Sequence, residues 1–442
     1  MEKLRNLQDR ICSFENLLAA YRKAIEDKRY RDEVIAFSFN LEENLVKLRD
    51  ELLSRTYAVG PYREFYVHYP KARLVMALGF RDRIVQWAIY RQLNPYMDKR
   101  FIQHSYGCRE NKGTLAAAEC LLNWVQLISR KPDAHDWVIV KCDISKYFYR
   151  VDHDTVMRIY EDISDDDWFL WLISSIIRNP DVPFGLPEGM SISDCPRESR
   201  LYDVGMPIGN LTSQETANIY LDRLDQYVKH VLRQHFYVRY MDDFCILCRK
   251  EDAQRLMDCI TVFLRDELKL TISPKSKIVP VLQPVEFVGY IITPHGMRLR
   301  RKSTRHMKHA LLYTADLYAD GIIEIDNALN TVNSYMGMTE HCNGYNMRRW
   351  IEEYVVFQRK DVPHMTQARD RPKKFYHIVD NADGTVDVFL QPVVTVYHTG
   401  TGIDEYDVRV RVVRGVVPWN GMEDDVRARF DAWCEEAEVI DL

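Results

Sequence analysis

Positions 238–247 read VRYMDDFCIL, with two carboxylates, Asp242 and Asp243, side by side in a mostly apolar run. Aromatic and β-branched residues of this kind favour a strand. Carboxylates inside such a run are costly to bury unless something neutralises them. The break at the acids reads as a hairpin turn between YVRYMDD and FCILCR. An acidic turn without further role is the plain alternative, since Asp is common in turns.

A second stretch changes that balance. DWVIVKCDISKYF is a short β-branched run, read as a buried strand, that ends in Asp143 followed by aromatics. Then comes TSQETANIYLDRLDQYVKHVL, a helix with Ala217, Ile219, Tyr220, Leu224 and Val228 on its apolar face. After the hairpin, EDAQRLMDCITVFLRDEL is again helical, and VEFVGYIIT is a strand. This order is a split βαββαβ arrangement. Its first strand neighbours the hairpin, so Asp143 is expected to face Asp242 across about 5 Å. Converging carboxylates repel, and hard divalent cations relieve this. Mg²⁺ uses one or two carboxylates with water and substrate phosphates. Two such ions clamp the attacking and leaving oxygens of an in-line phosphoryl displacement.

The rest of the chain frames this centre. NLEENLVKLRDELLSRTY, RDRIVQWAIYRQLNPYM and GTLAAAECLLNWVQLI carry helical spacing. NPDVPFGLPEGMSISDCPRESRLYDVG, rich in Pro, Gly and Ser, is read as a surface loop. After Lys302 the pattern is helical to about Val356. From about Phe375 strands return, NADGTV signals a hairpin, and MEDDVRARFDAWCEEAE reads as a last helix. Residues 1–130 carry about 22 Lys/Arg against about 16 Asp/Glu, and residues 371–442 about 8 against about 14, so the front is mildly basic and the tail acidic.

The opening residues MEKLRNLQDR are charged, and no apolar stretch approaches the ~20 residues of a membrane helix. With ten scattered cysteines, the expectation is a cytoplasmic protein with free thiols and no membrane partner. Cys245 and Cys248 form a C-x-x-C, read as core thiols of the hairpin or as half of a zinc site.

Taken in order, the motifs resemble the reverse transcriptases of bacterial non-retroviral type over about residues 40–360. YMDD is similar to the polymerase signature, KCDISKYFYRVDH to the first catalytic strand, and GMPIGNLTSQETANIYLDRLD to the template- and nucleotide-positioning helix. VEFVGYII resembles the primer-grip hairpin, and SYGCRENKGT and YPKARLVMALGFRDRIVQWAI resemble fingers motifs. The resemblance implies an α+β right-hand polymerase. Residues 1–135 would be N-terminal helices and fingers, 136–295 a ferredoxin-like palm with an insertion at about 178–204, 296–370 a helical thumb, and 371–442 a small C-terminal β-rich α+β module. It implies two Mg²⁺ ions, with Mn²⁺ as a substitute, and as partners a template RNA, its cDNA product and dNTPs.

The resemblance also implies site residues. Asp143, Asp242 and Asp243, with the adjoining Ile144, form the metal set, Asp243 more loosely. Lys275 resembles a lysine proposed as general acid for pyrophosphate, with Lys277 its rival. Arg73 matches the triphosphate-contacting arginine, helped by Lys71. Phe148 stands where the family has a steric gate against the 2′-hydroxyl, with a core aromatic as the alternative. Ile208, Gly209 and Gln214 line the nucleotide side, Gly209 permitting close backbone approach to the base pair. Tyr240, Met241, Phe287, Gly289 and Tyr290 face the primer. MRLRRKSTRHMK, with Arg298, Arg300, Arg301, Lys302 and Arg305, offers phosphate contacts or a solvated face.

PIGNLTSQ, aliphatic before the glycine and ending in Ser-Gln, resembles the enzymes of diversity-generating retroelements, which copy a template RNA with errors at adenines. The same style occurs in antiphage-defence reverse transcriptases that use a noncoding RNA. Group II intron maturases fit less well, because no nuclease pattern of His or paired C-x-x-C is present. An inactive RNA-binding scaffold is the alternative from another class. The acidic tail suggests docking of an accessory protein, self-association or a cap on the thumb.

Overall fold

The computed structural model describes residues 3–67 and 73–360 with side chains, and beyond these the backbone of five strands. Two compact units emerge: residues 1–64, 69–305 and 337–347 in one, and 65–68, 306–336 and 348–442 in the other.

The first unit opens with helices α1 (Leu7–Cys12), α2 (Phe14–Ala24), α3 (Asp32–Phe39) and α4 (Leu41–Leu53); strand β1 (Arg63–Val67) begins in it and ends among the residues of the second, and β2 (Arg73–Ala77) is again of the first. Long helix α5 (Phe80–Arg100) and α6 (Thr114–Ser129) follow. Next come β3 (Trp137–Asp143), the short turn of helix α7 (Tyr147–Arg150), α8 (His153–Ile163), α9 (Asp167–Ile177) and α10 (Leu211–Gln226). Caps explain several starts. The Asp166 carboxylate accepts from the backbone N–H groups of Trp168 and Phe169 at the head of α9, and from Leu7 and Gln8 at the head of α1. One acid thus satisfies orphan donors of two helices.

Strands β4 (Phe236–Tyr240) and β5 (Asp243–Arg249) form the hairpin, followed by α11 (Lys250–Leu268) and β6 (Lys277–Pro280). The sheet has the order β4-β5-β3-β6, antiparallel throughout. Its centre is apolar because β3 and β5 are covered: Val138, Val140, Phe244 and Ile246 share one core with Leu256, Ile260 and Leu264 of α11 and Tyr220 and Leu224 of α10. Cys245 and Cys248 are buried in β5 as free thiols.

Three short strands, β7 (Val285–Phe287), β8 (Tyr290–Thr293) and β9 (Gly296–Leu299), make a second antiparallel sheet. Helices α12 (Arg301–Ala319), α13 (Ile325–Glu340) and α14 (Tyr345–Tyr354) follow. In the second unit β10 (Tyr376–Asp380), β11 (Val386–Leu390), β12 (Val393–His398), β13 (Asp404–Val416) and β14 (Glu438–Asp441) form one antiparallel sheet. The helix expected at MEDDVRARFDAWCEEAE lies, apart from its last residue Glu438 in β14, outside the described residues. No helix among the described residues is long and apolar enough to cross a membrane.

The Pro/Gly-rich stretch at 179–205 is more than a surface loop. It buries Phe184, Leu186, Ile192, Cys195 and Arg200. Gly185 and Leu201 exchange backbone hydrogen bonds of 3.0 and 2.9 Å. A Cβ at Gly185 would stand 2.5 Å from the Val204 carbonyl, so the tight crossing requires glycine. Composition hid this, because turn residues at the ends of a segment say nothing of the apolar side chains folded beneath it.

Candidate active site

Strand register brings the acids together. Asp143 is the last residue of β3 and pairs with Asp243, the first of β5. The N–H of Ile144 donates to the Asp242 carbonyl at 3.2 Å. The turn is only Met241 and Asp242, and Met241 has φ 53°, a left-handed value unusual for a side-chain-bearing residue. Its side chain lies on Gly107, where a Cβ would come within 2.5 Å of Met241 Sδ. The SYGC segment therefore supports this turn: Tyr106 N–H donates to the Arg239 carbonyl at 2.9 Å.

The two adjacent acids have different surroundings. Burial, then the charge of Asp143, push the Asp242 carboxyl up to about 6, while Arg73 opposes them more weakly. Burial raises Asp243 as well, but Lys141 counters, with Nζ 3.0 Å from Oδ1. The backbone of Val288, in the β7–β8 turn, also hydrogen-bonds Asp243. Hence Asp143 and Asp242 are the pair whose repulsion a cation would relieve, whereas Asp243 already has one. Among the described residues no three His, Cys, Asp or Glu side chains form a metal cage. The donor set fits a two-carboxylate Mg²⁺ site completed by substrate oxygens.

The loop after α11 holds Asp143 from behind. Its N–H donates to Ser276 Oγ at 3.1 Å, and its carbonyl accepts from the Ser273 N–H at 2.7 Å. Lys275 is exposed on this loop, and Lys277 pairs with Lys141 at the start of β6. Ile144 is buried. Of three consecutive aromatics, Tyr147 and Tyr149 are buried and Phe148 is only partly so. The Tyr147 hydroxyl donates to the Ala217 carbonyl at 2.7 Å, and Tyr149 stacks on Phe184 at 4.8 Å. The outer two rings are thus structural, which leaves Phe148 as the one partly exposed ring of the three.

Ile208 and Gly209 lie against β2, where Met76 N–H donates to the Ile208 carbonyl at 3.0 Å. Gly209 has φ 112°, and a Cβ there would stand 3.1 Å from Val75. The glycine is required by the chain's own packing, a nearer cause than approach to a base pair. Gln214 is half-buried in the first turn of α10, and Arg73 is exposed. Lys71 lies outside the described residues. Tyr240 is half-buried. Phe287 is fully buried and Tyr290 is 6% exposed, so both chiefly fill the core of the β7–β8 hairpin. Gly289, at φ 93° with open space around it, is its accessible point. Arg298, Arg301, Lys302 and Arg305 are exposed, while Arg300 pairs with Glu286 at 2.9 Å.

Residues 68–292 match the family described as reverse transcriptase (RNA-dependent DNA polymerase). The chain belongs to this family. RNA-directed DNA synthesis, a nucleotidyl transfer, is the family's activity. The chain is similar to protein YkfC of Escherichia coli strain K12, at 26% identity over 295 residues, covering 59% of this chain and 72% of that protein. It is also similar to the group II intron-encoded protein LtrA of Lactococcus lactis subsp. cremoris, at 24% identity over 331 residues, covering 60% of this chain and 51% of LtrA. The chain thus spans about half the length of that relative.

Sequence reasoning missed several residues around this reverse transcriptase centre. Lys141 was unremarkable inside its strand, yet period-2 alternation places it on the face of Asp143, two residues on. Arg239 and Asp225 form a fully buried ion pair at 2.6 Å. Glu215 is buried beside Gln214, and its Oε1 has no hydrogen-bond partner among the described residues. Burial alone raises its carboxyl well above the usual range. The available signal was a charged residue within or beside a recognised motif: Lys141 opens KCDISKYFYRVDH, Glu215 and Asp225 lie in GMPIGNLTSQETANIYLDRLD, and Arg239 immediately precedes YMDD.

Proposed function

We propose that this reverse transcriptase copies a dedicated template RNA into cDNA, and that it serves a diversity-generating retroelement. The observation that supports the catalytic part is the pairing of the β3 and β5 ends, Asp143 with Asp243, which leaves Asp242 in the adjoining turn under the charge of Asp143. On this reading residues 136–295 are the palm, 1–135 the N-terminal helices and fingers, 296–370 the thumb, and 371–442 an accessory module that docks a partner or a second copy. Asp143 and Asp242 would hold magnesium, which when bound would supply charge stabilisation for attack of the primer 3′-hydroxyl on the α-phosphate. Arg73 draws the triphosphate toward the acids, its planar fork suited to phosphate. Phe148 closes the space a 2′-hydroxyl needs. Lys275 or Lys277 delivers a proton to the departing pyrophosphate. The β7–β8 turn, touching Asp243 through Val288, aligns the primer end, and Arg298, Arg301, Lys302 and Arg305 hold backbone phosphates.

Ile208 supports the error-prone assignment. An aliphatic side chain beside the nucleotide offers no hydrogen bond with which to test its position. The acidic C-terminal sheet favours a second reading, an antiphage-defence enzyme with a noncoding RNA template.

Primer extension by purified protein on an RNA template with a DNA primer tests the activity. Extension that persists when Asp242 and Asp243 are both changed to Ala removes the proposed site, whereas a wild-type protein that extends no primer favours the scaffold reading. Sequencing RNA and cDNA that copurify separates the two biological readings: adenine-directed errors in a copied repeat support retargeting, and faithful copies of a structured RNA support defence.

A further inference from the structure

Arg239 precedes the catalytic turn by two residues and is fully buried. A guanidinium has five N–H donors in a rigid fork, and here every one is used. Nε and Nη2 grip the two carboxylate oxygens of Asp225 on α10, at 2.7 and 2.6 Å. The second Nη2 hydrogen goes to Ser105 Oγ at 3.1 Å. Nη1 donates to Asn218 Oδ1 at 3.3 Å and to the Met241 carbonyl at 3.1 Å. The Arg239 backbone is also fixed, with N–H donating to the His104 carbonyl and C=O accepting from Tyr106, each at 2.9 Å. Asp225 is held in turn by the Tyr237 hydroxyl at 2.7 Å.

Most of these bonds join α10, β4 and the SYGC segment. One of them reaches the turn: the bond to Met241, whose left-handed backbone is the strained link that presents Asp242. Such conformations persist when their surroundings over-determine them. We propose that Arg239 is a positioning residue that locks the Met241 carbonyl and thereby fixes Asp242 opposite Asp143. Resting on the polymerase reading above, this adds that α10, the helix carrying Gln214, is mechanically tied to the acid that holds metal. Lysine cannot reproduce this, because an ammonium has three donors and no planar fork with which to make all five bonds.

Arg239→Lys and the milder Ser105→Ala test this. Single-turnover incorporation is measured across dNTP concentrations. Mn²⁺ titration is followed by electron paramagnetic resonance on the protein with a chain-terminated primer on its RNA template. Thermal unfolding is recorded alongside. For Arg239→Lys, the maximal rate is expected to fall about 100-fold, the scale of a 1 Å misplacement. Half-saturating Mn²⁺ is expected to rise severalfold, with the dNTP dissociation constant near wild type. Ser105→Ala is expected to move the same two quantities in the same direction by a smaller factor. If Arg239→Lys does not fold, Ser105→Ala decides alone. Metal binding at the wild-type level in folded variants overturns the proposal, as does a rate loss that only follows the fraction unfolded. A wild-type protein that extends no primer refutes the polymerase reading instead, and the metal titration still judges Arg239.

Discussion

The Lys141 ammonium stands 3.0 Å from the Asp243 carboxylate. This ion pair separates in role two acids that adjoin in the chain. Asp242 carries the repulsion of Asp143, and among the described residues Arg73 is the cation that acts on it. Asp243 is neutralised within the protein and linked to the turn at Val288. A buried pair of this kind contributes little net stability, but breaking it is costly because one charge is left behind.

The first expectation concerns that asymmetry. Asp242→Asn is expected to abolish primer extension, by about 10³-fold or more, whereas Asp243→Asn retains at least tenfold more activity than Asp242→Asn. Gel shift on RNA template should stay near wild type in both. Equal loss in the two variants contradicts the division of roles.

Lys141→Met should lower stability by about 1–3 kcal/mol, since it leaves a mostly buried carboxylate uncompensated. Adding Asp243→Asn should recover much of that loss. Denaturant unfolding of the two single variants and the double variant closes the cycle. Additive losses would show that the pair is not coupled.

Phe148→Ala should weaken discrimination against ribonucleotides tenfold or more while deoxynucleotide incorporation continues. The measurement is the ratio of incorporation efficiencies for matched dNTP and rNTP. An unchanged ratio assigns Phe148 to the core with Tyr147 and Tyr149.

Ile208→Gln should lower misincorporation opposite template adenine, because an amide restores a polar contact that senses nucleotide position. Sequencing of cDNA from wild type and variant reads this directly. An identical error spectrum separates Ile208 from fidelity.

Glu215 and Asp222 predict a pH dependence of stability. Both folded-state carboxyls titrate above their ordinary values, Asp222 at about 6, and burial is the first cause in each. The folded protein therefore holds protons that the unfolded chain has released, and stability falls as pH rises. For Asp222 the fall runs from about pH 4 to 6, and for Glu215 it starts near the usual glutamate value and continues higher. Glu215→Gln should flatten the higher part of this slope and add about 1–2 kcal/mol at pH 8, as an unpartnered buried acid no longer has to ionise. Thermal melts from pH 5 to 8 test the sign. A wild-type melt that rises steadily across that range rejects it.

Much of the site was readable before the fold. The β-branched and apolar runs VIVKCD and FCILC marked β3 and β5, and a carboxylate closing one strand and another opening the next implied that they meet. The helices of α5, α6, α10 and α11 followed from apolar spacing alone. Harder to read were residues whose meaning depends on a partner distant in the chain. Asp225 looked like one more polar position on α10, and Arg239 like an ordinary strand cation, until packing buried the two against each other. Phe287 had the right motif for a primer contact, yet the hairpin turns its ring inward.

The amino-acid order by itself determined the strands, the helices and the presence of three acids at strand ends, because local periodicity and turn chemistry act over a few residues. Which acid faces which, which cation answers Asp243, and what supports the left-handed Met241 were decided only by tertiary structure. Charges and hydrogen bonds act over a few ångströms of space, and the chain had to close before those distances existed.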